Sequence, residues 1–223
     1  MKLTLLFFGL AIYLLIGWLV SFPIRFRSYT LSSPKIKAPV RIAIVSDLHS
    51  TVYGPDQKRL LNKLRQSRCD LILMPGDIID DIKPLQGAEM FLDQVSAIAP
   101  CYYCTGNHEN IETLIPLSEV KARVRQAGIT VLDKKGETIT IHGTRLMLCG
   151  VDDPRKYAYT DRDQQEEVQL MNELGSMQDC PEYTILLAHR PERSPIYAQF
   201  GFDLIVSGHA HGGQVRIPGL ING

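Results

Sequence analysis

Leu204-Ile205-Val206-Ser207-Gly208-His209-Ala210-His211-Gly212-Gly213-Gln214 is the stretch around which the chain is organised. Its apolar triplet reads as a buried strand. The strand stops at Ser207-Gly208, and two histidines follow at i and i+2. Neutral imidazole offers a lone pair without a charge, which makes histidine a common metal ligand near neutral pH. Two of them on a loop leaving a strand, beside three glycines, let the backbone come close to a bound group. Taken alone, the stretch also fits a surface turn rich in histidine. Other clusters of the same kind elsewhere in the chain decide between the two.

Those clusters lie at the ends of other apolar runs. Val40 to Val45 reads as a first buried strand and is followed by Ser46-Asp47-Leu48-His49. Asp70 to Pro75 is the next, ending in Gly76-Asp77-Ile78-Ile79-Asp80, and Cys101 to Cys104 ends in Gly106-Asn107-His108-Glu109. Tyr183 to Leu187 ends in Ala188-His189. Between them Gln57 to Arg68, Ala88 to Ala99, Leu117 to Gln126 and Gln164 to Met177 have helical spacing. Phe91, Leu92, Leu170 and Leu174 fall on the apolar sides of such helices and are expected in the core. Ile129 to Leu132 is a short strand. Thr138 to Ile141 and Arg145 to Cys149 alternate around His142-Gly143 as a hairpin does. The order is β-α-β-α first, then a hairpin and further strands. It predicts an α/β domain with helices covering sheets, layered rather than plainly doubly wound. Groups at the carboxyl ends of successive strands are where open α/β sheets place their sites.

Length and composition allow this. The chain has 223 residues, 45% of them hydrophobic, enough for one domain with a full core. Lys+Arg and Asp+Glu both number 24, and no basic stripe interleaved with aromatics is visible, so nucleic acid is not an expected partner. Five cysteines, an odd number, do not make a disulfide framework. Cys101 and Cys104 have a redox-like spacing. On a strand, however, positions three apart face opposite sides about 10 Å apart, too far for a bond. They are expected to fill core.

Asp47/His49, Asp77/Asp80, Asn107/His108, His189 and His209/His211 thus occupy five strand ends and hold five of the six histidines; His142 is the exception. The donors are oxygen and nitrogen with no thiolate, which suits Mn, Fe or Zn better than Ca. They are too many for one ion. Two divalent ions sharing a carboxylate would use them well.

Asp47-Leu-His49, Gly76-Asp77-Ile-Ile-Asp80, Gly106-Asn107-His108-Glu109, His189 and Gly208-His209-Ala-His211 resemble, in order, the motif series of the calcineurin-like metallophosphoesterases. The likeness spans Val40 to Gln214. The extensions Gly150 to Pro154, Ala188 to Glu192 and His211 to Gln214 are similar to a membrane-anchored branch of YkuE-like and YaeI-like phosphoesterases, related to enzymes that hydrolyse the pyrophosphate of UDP-diacylglucosamine. The resemblance implies two mixed sheets sandwiched by helices. It implies that Asp47, His49 and His211 hold one metal, that Asn107, His189 and His209 hold the second, and that Asp77 bridges them. His108 would act on the leaving oxygen and Asp80 would orient His108. Unaided phosphate-ester hydrolysis is among the slowest of reactions. Paired cations stabilise the attacking and leaving oxygens, and a general acid adds roughly 10²–10⁴-fold. The substrate expected is a phosphorylated small molecule or lipid. The rival readings are a metal-binding but inactive scaffold and a nuclease.

Two expectations concern the ends. Leu3 to Phe22 is almost unbroken apolar sequence, the length of a membrane span. Residues 1–25 are therefore expected to anchor the protein in a membrane, residues 26–39 to link, and residues 40–223 to form the phosphoesterase domain. Arg25, Arg27, Lys35 and Lys37 against Lys2 lean the domain toward the cytoplasm. Members of the branch continue past Gly-Gly-Gln with further strands, whereas this chain stops at Gly223, so edge strands are expected to be missing.

Overall fold

Strand alternation builds this molecule. In a strand, successive side chains point to opposite faces. In β2 (Leu71–Pro75), Leu71 and Leu73 join one apolar cluster while Ile72 and Met74 point away from it. The same alternation holds in β3 (Cys101–Cys104), β6 (Thr144–Gly150) and β7 (Tyr183–Leu187). They send Tyr102, Cys104, Leu146, Leu148, Tyr183, Ile185 and Leu187 into that cluster. These residues come from two different sheets, so the cluster is the filling between two stacked sheets.

The computed structural model describes residues 7–9, 11–13, 15, 17, 24, 26–111, 114–153, 163–177 and 180–213. The first sheet has the order β1-β2-β3-β4, with β1 Ile42–Ile44 and β4 Thr130–Val131, and every pairing in it is parallel. The second has the order β5-β6-β7-β8, with β5 Lys135–Ile141 and β8 Leu204–Val206. Its β5–β6 hairpin is antiparallel and the rest parallel. Two mixed sheets were expected; only the second is mixed. The reason is that helical crossovers separate β1 to β4, and such crossovers return the chain in the same direction.

The helices are α1 (Lys58–Ser67), α2 (Gln86–Val95), α3 (Leu117–Gln126), α4 (Asp163–Gly175) and the short α5 (Ser194–Tyr197). Each of the first three buries one stripe: Leu60, Leu61 and Leu64; Phe91, Leu92 and Val95; Val120 and Val124. On α4, Leu170 and Leu174 pack with Cys149, Leu186 and Tyr197 on the outer face of the second sheet. The four helix residues expected in the core are all buried there. The five cysteines are free and four are buried; Cys104 faces the inter-sheet core and is fully enclosed.

The chain divides into Met1–Ser32 and Ser33–Gly223. The segment before Val40 contributes to the second unit. Ile36 and Val40 pack on the inter-sheet core, Ala38 N–H donates to Thr144 Oγ1 (3.0 Å), and Lys35 Nζ reaches Asp203 Oδ2 (2.8 Å). The N-terminal anchor expected over residues 1–25, with the membrane as partner and location, is corrected. A span takes about twenty apolar helical residues, and among the described residues no helix is long and apolar enough to cross a membrane. Much of Leu3 to Phe22, like residues 154–162 and 214–223, lies outside the described residues.

Candidate metal centre

Because β1, β2, β3, β7 and β8 all take part in parallel pairings, their carboxyl ends collect along one edge of each sheet. Hydrogen bonds then tie the loops beyond them together across the two sheets. Asp47 N–H donates to Gly76 O (3.2 Å), His49 N–H to Asp77 O (2.9 Å) and Gly208 N–H to His189 O (3.1 Å). His189 Nδ1 donates to Pro75 O (2.8 Å), and His209 N–H donates to the Asp47 carboxylate (2.8 Å). The approach is close. A Cβ on Gly76 would lie 2.5 Å from Gly106 N, and one on Gly208 would lie within 2.7 Å of Asp47 Oδ2. Glycine is the residue that allows this.

The side chains converge. Asp47, His49 and His211 each offer a donor atom within 4.8 Å of the others, and so do Asp77, His189 and His209. Asp77 is 1% exposed and stands between the two groups. Its Oδ2 lies 3.7 Å from His49 Nε2, 3.1 Å from His189 Nε2 and 4.0 Å from His108 Nε2. Asn107 Oδ1 is 3.1 Å from His189 Nε2, and His49 Nε2 is 3.1 Å from His211 Nε2. His209 and His211 are about a third exposed at their side chains, so the centre opens to solvent on their side. The donor chemistry fits a pair of divalent first-row cations: imidazole nitrogens and carboxylate oxygens with no thiolate. His189 is prepared for ligation in a further way. With its Nδ1 proton donated to Pro75 O, its Nε2 is the nitrogen left facing the centre.

Electrostatics acts differently on the three rings. Burial lowers the pKa of His49 and of His209, favouring neutral rings with a free lone pair. Burial acts on His189 in the same direction. There, however, the hydrogen bond and negative charge of Asp77 outweigh it and lift the ring to about 9. Burial pushes the Asp77 carboxyl up, but its bonds to His189 and to the His108 N–H hold it below the usual carboxylate range.

All nine residues singled out from the sequence lie in this region, and His142 does not; it pairs with Asp70 (2.9 Å). Asp80 was expected to orient His108; Asp80, Asp81 and His108 offer atoms within 4.8 Å of one another, with His108 Nδ1 2.5 Å from Asp81 Oδ1 and Asp80 Oδ2 3.2 Å from His49 Nδ1.

Sequence reasoning missed three further residues. Glu109, 2% exposed, accepts four backbone N–H groups with its two carboxylate oxygens. They come from Asp77 (2.9 Å), Ile78 (2.7 Å), Ile79 (3.0 Å) and Gly106 (2.8 Å). It clamps the loop after β2 to the loop after β3. Burial pushes its carboxyl up to about 7 against those bonds. Arg190 and Asp153 form the other clamp, with Nε to Oδ2 at 2.7 Å, joining the loops after β6 and β7. Both acids sit in stretches already noted for their motifs. Only their backbone and cross-loop work was invisible.

The family model for calcineurin-like phosphoesterase matches residues 40–213. F40B5.2 of Caenorhabditis elegans, a protein whose name places it among metallophosphoesterases, is 32% identical over 190 residues, 79% of this chain and 37% of its own. Phosphodiesterase YaeI of Escherichia coli is 26% identical over 186 residues, 81% of this chain and 64% of its own. The chain thus spans between about a third and two thirds of the length of these curated relatives. Among solved structures, a phosphopantetheinyl hydrolase of Mycobacterium tuberculosis superposes with a TM-score of 0.51 at 15% identity, covering 79% of this chain and 84% of that one, which is a likeness of fold.

Proposed function

The chain belongs to the calcineurin-like phosphoesterase family, and from that premise we propose that it hydrolyses phosphate ester or pyrophosphate bonds with water at a centre of two divalent cations. One observation carries the reading. A single enclosed carboxylate, Asp77, has one oxygen within 4.0 Å of ring nitrogens from three histidines that belong to loops of both sheets. An unpaired carboxylate so enclosed is costly, and a carboxylate shared by two cations satisfies that geometry.

Asp47, His49 and His211 are assigned to one cation, Asn107, His189 and His209 to the other, and Asp77 to both. Bound there, the cations supply Lewis-acid charge for the attacking and leaving oxygens of an in-line displacement and activate the water. The protein's own residues do the remainder. His108, about a third exposed, turns Nε2 toward the centre and Nδ1 toward Asp81. From there Nε2 is placed to hand a proton to the departing oxygen. The clamp of Glu109 on backbone amides and the Arg190–Asp153 ion pair keep the loops in register.

The test is metal content together with hydrolysis of bis-p-nitrophenyl phosphate in Mn²⁺. About two first-row ions per chain and Mn²⁺-stimulated turnover are expected from a two-cation site. Asp77→Asn, nearly isosteric, should keep the fold and lose turnover by orders of magnitude. Near-normal turnover in that variant, or a folded protein that takes up no metal, would overturn the reading.

A further inference from the structure

Four groups of donor atoms converge among the described residues. Asp47/His49/His211 and Asp77/His189/His209 are assigned above to the two cations, and His49/Asp77/His108 joins them across the centre. The fourth group, Asp80/Asp81/His108, contains none of the assigned ligands. Its donors come from two loops, the acids after β2 and the imidazole after β3, and lie within 4.8 Å of one another.

His108 stands between two neighbourhoods. Its Nε2 is 4.0 Å from Asp77 Oδ2, on the centre's side, and its Nδ1 is 2.5 Å from Asp81 Oδ1, on the other. Asp80 Oδ1 accepts the backbone N–H groups of Ile82 (3.0 Å) and Lys83 (2.8 Å), which fix this carboxylate as ligating carboxylates are commonly fixed. The Asp80 and Asp81 side chains are 9% and 10% exposed. Two carboxylates drawn together in so enclosed a place are costly unless positive charge joins them. The Lys83 ammonium offsets part of that charge, 3.9 Å from Asp80 Oδ2. A recess bounded by Ile79, Asp81, His108, Leu114 and Ile115 opens beside the group, with room for about one water.

We propose that Asp80, Asp81 and His108 Nδ1 form a third cation site, which takes Zn²⁺ with water in the fourth position, and that its occupation inhibits the enzyme. The inhibition rests on the functional reading above. Carboxylate oxygens and imidazole nitrogen are donors that zinc accepts, and three protein ligands with one water is a usual zinc arrangement. Repulsion from the two cations of the centre makes this site the last to fill. A cation on Nδ1 takes the lone pair that otherwise holds a second ring proton. His108 then keeps one proton, on Nε2, and a ligated neutral imidazole gives it up far less readily than an imidazolium does. Departure of a poor leaving group suffers, and departure of a good one hardly changes. Excess zinc would thus turn hydrolysis down without touching the ligands of the centre.

The experiment titrates the metal-free full chain with Zn²⁺. Calorimetry counts the ions, and anomalous scattering at the zinc edge from crystals soaked in excess Zn²⁺ locates them. Over the same range kcat is followed on bis-p-nitrophenyl phosphate, whose leaving group needs little protonation, and on an alkyl phosphodiester, whose leaving group needs it fully. Three ions are expected, the weakest lying against Asp81 and His108. As it binds, alkyl-ester kcat falls about 10²-fold, the loss of a general acid, and the p-nitrophenyl value changes only a few-fold. Asp81→Asn and His108→Gln should each lose this ion and keep the other two; whatever their basal kcat, excess zinc no longer lowers it. His108→Gln exchanges neutral for neutral, so it separates ligation from a general loss of negative charge. A third ion retained at the same Kd in both variants, or equal inhibition of both esters, overturns the proposal. If two ions sit at the centre with turnover and none lies at Asp81, the functional reading stands and the third site fails. If the ion lies at Asp81 but neither ester is cleaved at any loading, the functional reading fails, the inhibition with it, and the site stands.

Discussion

Gly76→Ala tests how tightly the two loops at the centre must approach. Gly76 has φ of +85°, where an alanine is strained; a left-handed residue other than glycine costs about 1–2 kcal/mol. The added Cβ would also lie 2.5 Å from Gly106 N, 2.6 Å from Gly106 Cα and 2.8 Å from His189 Nδ1. Ordinary contact begins at 3.4 Å, so the β2 and β3 loops must part by most of an ångström. Gly106 contributes backbone there, which has no rotamer to change. Forcing an extra methyl into close packing costs about 1–3 kcal/mol. The expected loss is therefore about 2–5 kcal/mol, the sum of the two terms.

Gly143→Ala supplies the control. Gly143 has a similar φ of +74°, yet nothing lies within 4 Å of its would-be Cβ. It should lose only the conformational part, about 1–2 kcal/mol. Urea unfolding of both variants, with m-values compared, isolates the steric part. Mn²⁺-dependent turnover adds a second readout. Asp77 follows Gly76 directly and sits 3.1 Å from His189 Nε2. A misplacement near 1 Å costs on the order of 10²-fold in rate, and Gly143→Ala should show none of it. Equal stability loss in the two variants, with turnover retained in Gly76→Ala, would refute the close-approach argument.

Three further outcomes are expected. Bonds from Lys35, Thr184 N–H and Thr184 Oγ1 hold the Asp203 carboxyl below its ordinary value although burial opposes them. A depressed folded pKa contributes stability above the unfolded value, near 3.9, that is lost as pH falls through the folded one. Asp203→Asn should thus cost about 1 kcal/mol at pH 7, and urea titrations should show the gap closing below pH 4. Mn²⁺ at about a hundred times its Kd should add about 2.7 kcal/mol, seen as a rise in Tm of about 5–10 °C. Chelator should reverse the rise, and Asp77→Asn should blunt it. Glu109→Ala, which touches no ligand side chain, should still weaken Mn²⁺ binding about tenfold or more by releasing the two loops; unchanged affinity by calorimetry would remove its clamping role.

Most of the fold was legible because its signals are local and periodic. Apolar runs such as Leu71–Pro75 and Tyr183–Leu187 mark strands, and Leu60/Leu61/Leu64 marks the inner stripe of a helix. The donors were legible because parallel strands deliver their carboxyl ends to one edge, so residues far apart in sequence could be assembled from their shared position after a strand. The pairing of Asp80 and Asp81 was not legible. Both follow the same strand, and which one meets His108 depends on a turn closed by Ile82 and Lys83 N–H. Glu109 was quoted with its motif but given no task, because its partners are backbone amides that leave no trace in residue identity. Ser33 to Pro39 has no periodicity, yet Ile36 reaches the inter-sheet core through packing that only the folded chain defines.

The backbone at the centre shows what that invisible work is for. Asp47, His49, Asp77, His209 and His211 all have positive φ between 46° and 66°. Five of the candidate ligands thus occupy a conformation uncommon for residues other than glycine, though asparagine, aspartate and histidine tolerate it best. Each such residue costs of order 1–3 kcal/mol and persists only where its surroundings over-determine it. Those surroundings combine a clamp missed from sequence with residues of the motifs themselves. Glu109 holds the amides of Asp77 to Ile79 and of Gly106, Asp47 holds the amide of His209, and Gly76 and Gly208 let the loops touch. The pairs Asp47/His49 and His209/His211 stand at i and i+2, and their left-handed residues bend the chain where it leaves the strands and gathers at the centre. A centre that gathers aspartates and histidines from five strand ends therefore needs strained ligand residues and buried clamps together. Removal of a clamp should appear first as lost metal affinity, before any loss of the sheets.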